Sequence, residues 1–82
     1  MEPMLIVPEI RARLRKGRTA LYEDQAAGLL PKFVKLGLRR VALPEREVDA
    51  ILSARIAGRS EAELKALVKR LEAERQKLAI LK

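Results

Sequence analysis

Apolar residues recur at helical spacing in four stretches of this chain and alternate with polar ones in two. The first helical stretch runs from Pro8 to about Leu14 or Arg15, with Ile10 and Leu14 four residues apart on one stripe. Pro8 suits a first helical turn, where its missing N–H has no partner to lose, and Glu9 faces the positive end of the helix dipole. Lys16 and Gly17 make a tight turn, and a second helix follows from Arg18 to Ala27. Leu21 is expected to point inward with Ala26 near it, while Arg18, Thr19, Tyr22 and Gln25 lie toward solvent. Gly28 can adopt the left-handed conformation that ends a helix. The segment before Pro8 is read as an apolar lead-in whose Leu5 or Val7 covers one end of the core.

Phe33 to Leu36 and Arg40 to Leu43 alternate as strands do, with Gly37 at the turn between them. In the second strand Val41 and Leu43 share one face, and Arg40 and Ala42 the other. Strands this short must lean on the helices to be stable. Pro44 then opens a third helix with Glu45, Glu47 and Asp49 near its positive end, Val48, Ile51, Leu52 and Ile56 as its inward stripe, and Gly58 as its stop. Ser60 and Glu63 have capping-box spacing and place a fourth helix from Glu61 toward Lys82. Its Leu64, Leu71 and Leu78 recur every seven residues, Leu67 and Leu81 half-fill the alternate seam, and Glu74 interrupts it.

The expected fold is therefore mostly α with a small β-hairpin, a winged helix-turn-helix over residues 1–59, followed by a C-terminal helix over 60–82. Leu64, Leu67, Leu71 and Leu78 make that last helix a candidate self-association element. Three interrupted heptads would form a weak zipper, and the alternative is a helix folded back over its own domain.

Charge adds a partner to this outline. Eighteen Lys and Arg stand against 11 Asp and Glu, a formal net charge of +7, so a polyanion is expected. The basic residues cluster: Arg11, Arg13, Arg15, Lys16 and Arg18 run up to and into the start of the second helix without an intervening acid, and Lys32, Lys35, Arg39 and Arg40 follow it in the same way. A helix framed by two basic runs and followed by a hairpin implies double-stranded DNA, with the helix in the major groove and the hairpin on the phosphates. Arg18, Thr19, Tyr22 and Gln25 are the candidate readers of base edges, Arg18 suiting guanine and Gln25 adenine. Arg11, Arg13, Lys16, Lys32, Lys35, Arg39 and Arg40 are the candidate phosphate and wing contacts. Asp24 is read as capping or pairing with a nearby arginine, and Glu23 either does the same or accepts a hydrogen bond from cytosine; on a degenerate helix-turn-helix both would mark a lost DNA face.

Other classes recede on composition. With no Cys or His there is no thiol or imidazole chemistry and no ordinary zinc site, so no metal, cofactor or small-molecule substrate is expected. The two serines, Ser53 and Ser60, lack a partnering base, so an enzyme is not expected. No long apolar run or export signal is seen, and a cytoplasmic protein without a membrane partner is expected. The scarcity of aromatics disfavours an RNA-binding protein that stacks bases. A protein-interaction adaptor on a degenerate helix-turn-helix is the other alternative.

The chain resembles the AlpA family of small prophage regulators and, more loosely, the excisionases and MerR-like winged helix-turn-helix domains. The likeness is carried by Pro8 to Ile10, by Arg18 to Tyr22, by Gly28 with Pro31 and by Val34 to Gly37. It continues through Arg39 or Arg40 before Val41, Pro44 to Ala50 and Ala54 to Ser60. It implies a DNA-binding transcriptional regulator or a recombination directionality factor of an integrated element. On the same likeness the helix from Arg18 is the recognition helix and the loop from Gly37 to Arg40 the wing tip. The chain departs from the commoner pattern at Gly17, where a serine often caps the recognition helix, at Glu23, where a basic residue is frequent, and at Leu43, where an aromatic is frequent. One small head buries too little surface for tight specificity, so a homodimer or a cooperative oligomer on DNA is expected.

Overall fold

The computed structural model describes residues 3–80, with side chains through Arg75. The elements run β1 (Met4–Ile6), α1 (Val7–Leu14), α2 (Arg18–Ala27), β2 (Val34–Lys35), β3 (Val41–Pro44), α3 (Glu45–Ile56) and α4 (Glu61–Ile80). The fold is a winged helix-turn-helix with a C-terminal helix, and its sheet has one strand more than the expected hairpin. The lead-in is itself a strand. β1 pairs antiparallel with β3, Leu5 opposite Leu43 and Ile6 opposite Ala42, and gives the order β1-β3-β2. Three residues are too few to show an alternating pattern, but they satisfy backbone groups of β3 that a lone hairpin would leave open.

The central position of β3 changes its faces. Ala42 was expected on the open face with Arg40, yet both Ala42 and Leu43 are buried, because Ile6 and Val34 flank Ala42 in register on either side. The strand ends on Pro44, which caps α3 and is not its first helical residue.

Local signals set the helix ends. The Ile6 amide donates to the Glu9 carboxylate at 3.0 Å, closing the first turn of α1 one residue earlier than Pro8. α2 stops at Gly28, φ 80°, where the Leu29 amide donates to the Asp24 carbonyl at 2.8 Å in a Schellman-type closure. Before α4 the Glu63 amide donates to Ser60 Oγ at 3.2 Å, and the Ser60 amide donates to Glu63 Oε1 at 3.0 Å. Those bonds to Ser60 hold the Glu63 carboxyl below its ordinary pKa.

α1 ends differently, with Arg15 in the left-handed region at φ 56°. A side chain there costs about 1–2 kcal/mol relative to the right-handed region. Arg15→Gly is therefore expected to stabilise the fold by roughly 0.5–1 kcal/mol, since glycine's greater unfolded freedom offsets part of the relief. A rise in Tm of several degrees would show it; a fall would mean that the Arg15 side chain holds the turn by a contact of its own.

The core joins every helix to β1 and β3: Leu5, Ile10, Leu21, Leu30, Leu43, Val48, Ile51, Val68 and Leu71. Two expected inward residues are exposed instead. Ala26 is exposed, because Leu21 and Gln25 define the inner side of α2. Ile56 is 80% exposed, because the inner side of α3 runs through Glu47, Val48 and Ile51 toward Arg55, which leaves Ile56 beyond its far edge. Leu52 is half-buried.

α4 belongs to the same core. Leu64, Val68 and Leu71 are buried at helical spacing, and Val68 and Leu71 join the core cluster of the preceding elements. Leu64 and Leu71, expected as a self-association seam, are spent on this intramolecular contact, and Leu67 packs half-buried beside them. The side chain of Leu78 and all of Leu81 lie outside the described residues. Three polar ties reinforce the packing. Arg75 forks onto the fully buried Glu47, its Nε donating to Oε2 at 2.8 Å and its terminal nitrogen to Oε1. Arg46 donates to Glu74 at 3.3 Å, and the Lys32 amide donates to Glu72 at 2.9 Å. No helix among the described residues is long and apolar enough to cross a membrane.

Candidate nucleic-acid interface

The three residues between α1 and α2, Arg15 to Gly17, give the tight corner of a helix-turn-helix, and α2 presents Arg18, Thr19, Tyr22, Glu23 and Ala26 to solvent. Three of the four expected readers lie on that stripe. The Arg18 guanidinium sits 5.9 Å from the centre of the Tyr22 ring, and Tyr22 meets Phe33 edge to face at 5.5 Å. Phe33 lies just before β2, so Tyr22 fixes both the Arg18 side chain and the base of the hairpin relative to α2.

Gln25, the fourth expected reader, is held elsewhere. It is half-buried, and its Nε2 donates to the Pro31 carbonyl at 2.9 Å. The amide closes the loop after α2, since buried Pro31 brings a carbonyl there that needs a donor. Glu23 lies on the exposed stripe, the position at which it would face a docked phosphate.

Two expected phosphate contacts are also committed within the protein. Arg13 donates to Glu45 at 2.7 Å and to Asp49 at 3.1 Å, tying α1 to α3. The hydrogen bond that Arg13 donates to Glu45 raises the guanidinium pKa above its ordinary value. Lys16 donates to Asp24 at 2.6 Å, and Arg55 approaches the same carboxylate at 3.5 Å. Asp24 thus pairs with an arginine as expected and with Lys16 as well, so it fastens the turn and α3 to α2 and does not face outward. Such commitments separate the cations that can meet an outside anion from those that already serve the fold.

The remaining expected cations are exposed. Arg11 stands on α1; Lys32, Lys35, Arg39 and Arg40 stand on the loop and wing. The wing is closed by the pairs Val34–Ala42 and Lys35–Val41 and by the Leu36 amide donating to the Arg40 carbonyl at 2.8 Å. Its tip is Gly37–Leu38–Arg39. Two residues that the sequence reading left out of the candidate contacts join the site. Arg15 is exposed and lines a shallow depression with Arg11, Lys16 and Gly17 beside the start of α2. Leu38 stands fully in solvent at the wing tip. Its signal in the sequence is an apolar residue inside a turn between a glycine and two arginines. Among the described residues no group of acidic side chains gathers as metal ligands.

Comparisons with family models, with curated proteins and with solved structures find no match to this chain.

Proposed function

We propose that this chain binds double-stranded DNA in a sequence-specific manner, as an AlpA-like transcriptional regulator or as an excisionase-type recombination directionality factor of an integrated element. The observation that supports this most is what remains after the internal ion pairs are set aside. Arg11 and Arg15 lie before the exposed stripe of α2, and Lys32, Lys35, Arg39 and Arg40 lie after it. The Tyr22–Phe33 contact seats the hairpin against the same helix. Arg18, Thr19 and Tyr22 reach base edges or adjacent phosphates, while the six exposed cations neutralise backbone charge. Gln25 supports the reading indirectly, by fixing the loop between α2 and the wing.

One head of this size contacts too little DNA for tight specificity, so the protein acts as a homodimer or a cooperative oligomer on repeated sites. Leu64 and Leu71 are buried in its own core, so such contacts use other surfaces.

The test is binding to the DNA upstream of its own gene and to random-sequence duplex across a salt series. Six phosphate contacts give a slope of log K against log salt of about −5. A joint Arg39→Ala, Arg40→Ala variant is expected to weaken both complexes and to flatten the slope by about 2. Absence of binding to either duplex at low salt would sink the DNA reading. The exposed Glu23 favours one second reading, a protein-interaction adaptor on a degenerate helix-turn-helix. An affinity for duplex that does not change between low and moderate salt would favour that adaptor.

A further inference from the structure

The wing carries a residue that phosphate contact does not explain. Leu38 is 105% exposed at the middle of the three-residue tip, the largest exposure among the large apolar side chains of the described residues, and Leu36 near it is half-exposed. The tip projects past the last backbone hydrogen bond of the hairpin, between the Leu36 amide and the Arg40 carbonyl. Arg39 and Arg40 follow at once, so two exposed cations adjoin the apolar tip on its C-terminal side. Gly37 adds a separate observation. Its φ is not positive, and a Cβ placed on it would meet nothing within 4 Å. The space a Cβ would take beside the tip is therefore open to whatever approaches it from outside the protein.

We infer that Leu38 is a wedge that enters the minor groove of duplex DNA and partly unstacks one base step, with Gly37 leaving room for the groove wall and Arg39 and Arg40 held on its flanking phosphates. The inference rests on the DNA reading above and deepens it. Apolar wedges of this size, inserted beside arginines, kink the duplex toward the major groove. Pyrimidine–purine steps unstack most readily, so the wing selects such a step by deformability without reading its bases. An exposed leucine among arginines is poorly suited to water and well suited to that combination of a charged groove wall and an apolar base stack.

The experiment uses the full chain and a duplex that it selects from a random-sequence pool. 2-Aminopurine replaces adenine step by step along that duplex, and its ends carry a donor and an acceptor dye. The wild type is expected to raise 2-aminopurine fluorescence several-fold at one step beside the wing and to shorten the end-to-end distance. Leu38→Ala is expected to bind roughly 5- to 20-fold more weakly without the fluorescence rise, Leu38→Phe to retain the rise, and Gly37→Ala to weaken insertion at an unchanged Tm. Binding by the wild type with no rise at any step, or a full rise with Leu38→Ala, overturns the wedge while leaving DNA binding intact. Loss by Leu38→Ala of cooperativity between adjacent sites, with single-site fluorescence unchanged, also overturns it and assigns Leu38 to a second copy of the chain. Failure of the wild type to select any duplex is the separate result that removes the DNA reading itself.

Discussion

Arg75→Met is expected to destabilise the protein by about 3–5 kcal/mol, because it removes the partner of a carboxylate that has no access to water. Glu47 is fully buried on the inner side of α3, and the Arg75 guanidinium binds both of its oxygens from α4. For a domain of this size each kcal/mol moves Tm by roughly 4–8 °C, so the expected fall is on the order of 20 °C. The double variant Glu47→Leu, Arg75→Met separates a stranded charge from lost packing. It removes both charges and is expected to recover most of the deficit, since buried pairs are often replaceable by apolar residues of similar volume. Thermal melts of the wild type, the single variant and the double variant form the cycle. A single variant within about 1 kcal/mol of wild type would show that the pair does not clamp α4.

That pair also marks where reading the sequence stops. Features set by neighbouring residues were legible: the glycine end of α2, the Ser60–Glu63 start of α4, and the tight corner before α2. Each depends on side chains within a turn of one another. Glu47 was not legible as a core residue, because a carboxylate in the first turn of a helix ordinarily faces water. Its partner lies 28 residues away. The error then spread along α3, where an inner side drawn through apolar residues alone includes Ile56, whereas one drawn through Glu47 excludes it. β1 was missed for another reason, since only its pairing with β3 makes three residues a strand.

The candidate site divides along the same line. Composition and clustering located the basic segments, but they carry no record of which cations are already satisfied. Arg13 bonds to acids 32 and 36 residues away, and Gln25 bonds to a backbone carbonyl that only the folded loop brings near. Arg18, Thr19 and Tyr22 were legible because their exposure follows from helical periodicity about the single anchor Leu21. The leucines of α4 show a limit of periodicity itself. A seven-residue repeat suits a partner helix and a fold-back contact equally well, and it is the burial of Val68 between Leu64 and Leu71 that selects the fold-back.

A chain truncated after Arg59 tests that fold-back directly, and it is expected not to fold cooperatively at 25 °C. Truncation withdraws Leu64, Val68 and Leu71 from the core. Burial of each such side chain contributes about 1.5–3 kcal/mol, or roughly 5–9 kcal/mol together. Stabilities of about 0.05–0.15 kcal/mol per residue give the shortened chain only some 3–9 kcal/mol in total. The loss is of the same size as the whole stability expected of the remaining residues. It also uncovers Leu30 and the loop before the wing, because the Lys32 amide loses the Glu72 carboxylate that accepts from it. Circular dichroism through a thermal ramp, with amide dispersion by NMR, is the measurement. A sloping, non-cooperative melt with collapsed dispersion is expected, since the geometry of α2 and the hairpin depends on the core beneath them. A sharp transition with native dispersion would instead establish residues 1–59 as an independent domain and free the leucines of α4 for a partner.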